Sequence, residues 1–156
     1  MSATRVRYAG IATRALALAI DVAIAQLIVL TGAAVIGLVA SLVGEFHLGP
    51  TGRWFAAAIW ALLVATYFVT FWSAVGQTPA MRMMDIRVGT ADGTPPGLGR
   101  SIVRLIGLGL AIIPFFAGFL PVLDDERRRG IHDMLAGTVV EHAGKPGEPF
   151  LSAPAP

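Results

Sequence analysis

Three long stretches without a single charge constrain this 156-residue chain more than anything else in it: Val22 to Val43, Trp54 to Gly76 and Leu105 to Leu123. About 20 helical residues cross the hydrocarbon core of a bilayer, so each stretch is long enough to span one. Little polar sequence is left between them. One compact membrane domain over residues 1–142 is therefore expected, with no room for a separate soluble catalytic domain. Beyond it, Gly144-Lys145-Pro146-Gly147-Glu148-Pro149 and Ser152-Ala153-Pro154-Ala155-Pro156 read as a flexible tail over 143–156. The chain has no cysteine, which excludes disulfides and thiolate metal sites.

The cations set the expected orientation, because short loops rich in arginine stay in the cytoplasm. Arg5, Arg7 and Arg14 place the N-terminus inside. The first apolar run is longer than the roughly 7–15 residues of a cleaved leader's core, and Asp21 interrupts its start, so a retained anchor is expected. The connection to the second run has Gly44, Glu45, His47 and a single Arg53, which suits the outer face, with Trp54 as an interfacial anchor. Arg82, Arg87, Arg100 and Arg104 then return the chain to the cytoplasm.

Arg127, Arg128 and Arg129 follow the third run, and a plain span would put them outside. Pro114 at its middle, with Gly118 and Pro121 after it, points to a bent or re-entrant third segment that leaves the C-terminus cytoplasmic; an ordinary third span is the alternative. Ile86-Arg87-Val88, ahead of the turn Ala91-Asp92-Gly93, reads as a short strand, as does Thr138-Val139-Val140, and their pairing requires both on one side. The expected fold is an all-α membrane protein of three hydrophobic helical segments with a small cytoplasmic two-stranded cap.

Polar residues inside this apolar frame carry the chemistry. Arg14 and Asp21 stand seven residues apart, on one helix face and separated by about 10 Å. Arg14 can reach lipid headgroups. A carboxylate at the depth of Asp21 costs about 2.5–3.5 kcal/mol on insertion scales, so it must face protein, water or a cation. Thr66, Thr70, Ser73 and Gln77 form one hydrogen-bonding stripe along the second run, placed to face Asp21. Helix packing is the plain reading of that stripe, and the lining of a conducting path is the other. Ala33, Gly37, Ala40 and Gly44 make a small-residue seam of the kind that allows close helix approach in lipid. Gly93, Pro95, Pro96, Gly97 and Gly99 argue against regular structure ahead of Ser101. Arg100 and Arg104 beside it read as orientation-setting charges at the membrane surface, where anionic headgroups lie.

Enzymatic chemistry lacks a constellation. His132-Asp133 and the acidic triplet Asp124-Asp125-Glu126 stand without a nucleophile motif, a His-x-x-x-His pair or a phosphate-binding glycine loop. The triplet reads as a charge cluster with Arg127 to Arg129, and His132 as a local hydrogen-bonding residue. No enzyme activity, cofactor or metal is expected. Neither is nucleic-acid binding, since the basic residues stand where topology already needs them.

Three blocks of sequence resemble the RDD family of small bacterial membrane proteins, named for an arginine and two aspartates. They are Ala9-Gly10-Ile11-Ala12-Thr13-Arg14 running on to Ile20-Asp21, then Gly76-Gln77-Thr78 with Ile86-Arg87-Val88, and Gly130-Ile131-His132-Asp133-Met134-Leu135-Ala136-Gly137-Thr138-Val139-Val140. The resemblance implies that Arg14 and Asp21 are the first two namesake residues and Asp133 the third, ahead of Asp124. The middle block departs from the family pattern, which often has glycine where Ala80 and Asp85 stand and in which Pro79 is unusual. It also implies a bacterial plasma membrane location, as a multi-pass protein with the N-terminus cytoplasmic.

Two functions are then open. One is transport, including cation/proton exchange of the kind suggested for some family members, with Asp21 binding proton or cation in alternation. Three segments enclose little water, so transport calls for a homo-oligomer or a larger membrane complex. The other is an accessory or assembly subunit packed against a larger membrane protein. In that case Arg14 and Asp133 pair at the cytoplasmic edge and Asp21 accepts hydrogen bonds from Thr66, Thr70 or Ser73.

Overall fold

A computed structural model describes residues 8–44, 49–112, 121–125 and 127–143. Helix α1 (Ile11–Val43) is 33 residues long, about 50 Å at 1.5 Å per residue, and so exceeds the roughly 30 Å apolar thickness of a bilayer. Its buried residues, Arg14, Ala17, Asp21 and Ala25, recur every three or four positions and form one stripe on its N-terminal half. Helix α2 (Pro50–Val75) starts with Pro at its first turn and stops at Gly76, whose left-handed φ of 70° lets its N–H return to Trp72 O at 3.1 Å. Phe68 and Trp72 are its buried residues.

These two helices are long and apolar enough to cross a membrane. The most apolar 18-residue window of α1 is 6% buried and that of α2 11%, with Leu27, Leu38, Leu62 and Phe55 among the bare side chains. A core helix of a water-soluble protein hides such a face, whereas here lipid is the solvent that suits it.

Where the N-terminal part of α1 meets the C-terminal end of α2, the chain builds a small packed cap. Helix α3 (Pro79–Met83) leads into strand β1 (Ile86–Thr90); helix α4 (Gly97–Ile112) follows, then the short α5 (Pro121–Asp124), α6 (Ile131–Ala136) and strand β2 (Thr138–His142). The strands pair antiparallel with Val88 opposite Val140 and Arg87 opposite Glu141. The two segments expected to pair do so, each extended by two residues. Val88 donates its N–H to Gly76 O at 2.7 Å, which ties the sheet to the end of α2. Ala17, Phe68, Trp72, Ala80, Ile86, Val88, Leu108 and Val140 pack into one core, so α1, α2, α3, α4 and the sheet meet in a single cluster.

Of the third apolar segment, residues 105–112 lie in helix α4 and 121–123 in α5. Helix α4 begins at Gly97, so Gly97 and Gly99 lie in a helix, and it holds Arg100 and Arg104 within its 16 residues. It packs on α2 and α6. Ser101, Arg104, Leu108 and Ala111 form its buried face, and Ile102, Ile106 and Leu110 its exposed one. Helix α4, about 24 Å long, is amphipathic and carries its two arginines within its first half. Pro114 and Gly118, on which the bent or re-entrant reading rests, lie outside the described residues, as do Glu45, His47, Glu126 and the segment 144–156.

The cap joint, a candidate functional site

Asp21 sits on α1 where the lipid-exposed length of the helix meets the cap, and none of its surface is exposed. Its carboxylate gathers three donors. The Tyr67 hydroxyl reaches Oδ1 at 3.0 Å, the Ala80 N–H reaches the same oxygen at 3.1 Å, and the Thr78 hydroxyl donates to Oδ2. Local sequence explains two of these. Thr78 is the N-cap of α3, its Oγ1 accepting from Met81 N at 3.3 Å, and Pro79 occupies the first helical position, where a missing N–H costs nothing. Capping α3 and binding Asp21 are thus done by one hydroxyl. The Ala80 N–H, among the first amides of α3 and so without a partner inside its own helix, is spent on the carboxylate.

Asp133 is the second node. It stands at the third position of α6, where its Oδ2 accepts the Gly130 N–H at 3.1 Å, and it is fully buried. Arg14 Nη1 donates to Oδ2 at 2.7 Å, and Arg104 Nη1 to Oδ1. Arg14 also donates to Ala9 O at 3.1 Å and Val140 O at 3.2 Å, so one side chain bolts α1 to α6 and β2. Arg104 reaches Thr138 Oγ1 at 2.9 Å and lays its guanidinium 5.0 Å from the centre of the Trp72 ring. Burial alone would raise the Asp133 pKa, but Arg104, His132 and Arg14, with the Gly130 N–H, outweigh it and hold the carboxyl below its usual range.

His132 lies 3.6 Å from Asp133 and is 3% exposed. Burial pushes its pKa down to about 4 against the pull of Asp133, with Arg104 and Arg14 adding to the fall, so the ring is neutral at pH 7. Arg87 pairs with the buried Glu141 at 3.1 Å on the sheet. Asp125 of the acidic triplet accepts from Arg129 at 2.9 Å and from two backbone N–H groups, a self-contained turn at the surface whose hydrogen bonds hold the carboxyl down at about 2.

The pairing of Arg14 with Asp133 is thus present. The stripe of the second run is elsewhere: Thr66 donates to Leu62 O at 2.8 Å and Ser73 to Thr70 O at 3.2 Å, while Thr66 and Thr70 are exposed. None of the three touches Asp21. Thr66 and Tyr67 are adjacent in sequence but about 100° apart around the helix, and it is the face of Tyr67 that meets α1. Gln77 binds the sheet instead, its Nε2 donating to Ile86 O at 3.1 Å. Arg104, read as a surface charge, is buried, whereas Arg100 is exposed. Tyr67 and Thr78 were missed; the Thr-Pro pair of an N-cap followed by a first helical proline was the signal available for Thr78. Among the described residues no three His, Asp or Glu side chains gather where a metal ion would fit.

Two long apolar helices, with Arg14 and Asp21 withdrawn into an internal joint, mark a membrane protein. The RDD family pattern matches residues 8–137, and the chain belongs to that family. Over 80 residues, 51% of this chain and 44% of the relative, it is 35% identical to an uncharacterized protein of Rickettsia prowazekii (strain Madrid E), so the match spans less than half of that protein. No solved structure matches the chain.

Proposed function

We propose that this protein is a multi-pass protein of the bacterial plasma membrane, with a cytoplasmic N-terminus and cap, that serves as an accessory or assembly subunit of a larger membrane complex. One observation carries the reading. The acid that an exchanger would use, Asp21, is fully buried and has three donors on its two oxygens, each coming from an element that the contact fixes in place. A carboxylate that alternates between proton and cation needs access to water on each side in turn, whereas one that joins helices needs saturation. Asp21 has the second environment. Arg14, Asp133 and Arg104 repeat the pattern, each binding more than one element. On this reading the namesake residues organise the fold, and the lipid-facing lengths of α1 and α2 meet the partner protein, with no catalysis involved.

Transport through Asp21 is the competing reading, and reconstitution separates the two. The purified protein alone in liposomes should show no cation-driven pH change, and mild detergent extraction from its native membrane should bring out a stoichiometric membrane-protein partner. Exchange activity of the isolated protein that is lost in Asp21→Asn would overturn the proposal.

A further inference from the structure

Helices α4 and α6 are inside out by the standard of a protein in water, where a surface helix hides its apolar stripe and shows its charges. Of the four charged or titratable side chains on these two helices, Arg104, His132 and Asp133 are buried and Arg100 alone is exposed. What they show instead is aliphatic. On α4, Ile102, Ile106 and Leu110 recur every four residues along one stripe, Ile106 with 60% of its surface bare. On α6, Ile131, Met134 and Leu135 are exposed in the same way. The two stripes adjoin, because the helices cross closely at Gly107, whose Cβ would lie 3.0 Å from His132 Cα and 3.4 Å from Leu135 Cδ1.

Position and composition together say what lies against this face. Helix α4 packs along α2, with the Arg104 guanidinium 5.0 Å from the centre of the Trp72 ring and Leu108 in one core cluster with Phe68 and Trp72. Trp72 still belongs to the uncharged run that ends at Gly76, so the α4 face continues the lipid-exposed surface of α2. The exposed charges of the cap are elsewhere: Arg82 on α3, Asp85 and Asp92 in the turns either side of β1, and Arg127 and Arg128 ahead of α6. Protein–protein contact surfaces are enriched in aromatic residues at their centre. Among the described residues, every exposed large apolar side chain of α4 and α6 is Leu, Ile, Val or Met, and Leu, Ile and Val are among those that hydrocarbon accepts most readily. Charges turned toward the protein interior are likewise the arrangement that lipid imposes. Arg100, in the first turn of α4, has the reach to keep its guanidinium at the headgroups while its stem lies along the apolar surface.

We propose that the α4–α6 face lies in the acyl chains of the adjoining leaflet, with Arg100 at the headgroups and the Asp92 turn in water. The proposal rests on α1 and α2 crossing the bilayer but not on the identity of any partner protein. The chain has no cysteine, so single replacements carry a nitroxide label at one place each. Labelled Ile106→Cys, Leu110→Cys and Met134→Cys, in liposomes of phosphatidylethanolamine and phosphatidylglycerol, should collide preferentially with dissolved oxygen, as labelled Leu38→Cys on α1 does. Labelled Asp92→Cys should collide preferentially with a water-soluble nickel chelate. All these side chains are exposed, so replacing them removes little packing. Nickel access at any of the three positions, with Leu38→Cys still rich in oxygen collisions, overturns the proposal and puts the face in water. A label there that neither reagent reaches also overturns it, for then a second copy covers the face. Nickel access at Leu38→Cys would instead contradict the crossing of the membrane itself, so the two failures are distinguishable.

Discussion

Asp133 keeps two guanidinium groups out of water, and it is the residue whose loss should be felt most. Asp133→Ala leaves Arg14 and Arg104 buried beside each other without their shared acceptor, which should cost about 3–5 kcal/mol, seen as a lowered denaturation midpoint in detergent. Its neighbour supplies a pH dependence. The folded pKa of His132, about 4, lies below its ordinary 6.5, so the neutral ring is what the fold favours. Stability should be full above pH 6.5 and decline as pH falls toward 4, by up to about 3 kcal/mol, because the unfolded chain takes up the proton first. Unfolding midpoints measured from pH 7 to pH 4 should show that fall in the parent protein and a flatter profile in His132→Gln. Asp85 stands at a φ of 50°. Since Asp tolerates the left-handed region better than most residues but glycine enters it without penalty, Asp85→Gly should stabilise by about 0.5–1 kcal/mol.

Elements join through close backbone approach and strand register, and both give sharp expectations. Where α4 meets α6, a Cβ on Gly107 would lie 3.0 Å from His132 Cα, so Gly107→Ala must push two helices apart and should cost about 1–3 kcal/mol. Gly109, on the same helix, has nothing within 4 Å of its Cβ position, and Gly109→Ala should gain up to about 1 kcal/mol from helix propensity. Thermal unfolding of the two variants side by side checks the packing of α4. In the sheet, the Val88 N–H points to Gly76 and away from β2, which makes Val88 and Val140 a non-hydrogen-bonded pair with close Cβ atoms. A cysteine pair at Val88 and Val140 should cross-link under mild oxidation, and one at Val88 and Val139 should not.

Elements were legible in the sequence where their signal is local. The two long spans are written in uncharged length, the strands in β-branched runs beside turn residues, and the Arg14–Asp133 pair in the motif blocks. Arg104 was not, because nothing in sequence separates it from Arg100; only the packing of Ser101, Leu108 and Ala111 against α2 and α6 decides which arginine turns inward. The partners of Asp21 escaped for a similar reason. They come from two separate places along the chain, Tyr67 on α2 and the Thr78–Ala80 start of α3, 46 to 59 residues away, and a rotation of one residue on α2 selects Tyr67 over Thr66.

Across the whole molecule there is a division of labour: long apolar helices meet lipid, and the buried polar groups hold the cap to one end of those helices. Asp21 is the point where the two halves are joined, and substituting it tests the account most directly. Unfolding of Asp21→Ala should show a loss of about 2–4 kcal/mol, because buried donors on Tyr67, Thr78 and Ala80 lose their acceptor, with Asp21→Asn intermediate because its amide oxygen still accepts. The measurement is the denaturation midpoint of both variants beside the parent protein, taken together with cation-driven pH change in liposomes containing each. The account predicts graded destabilisation and no flux from any of the three. Unchanged stability in both variants, with a flux in the parent protein that Asp21→Asn abolishes, would contradict it.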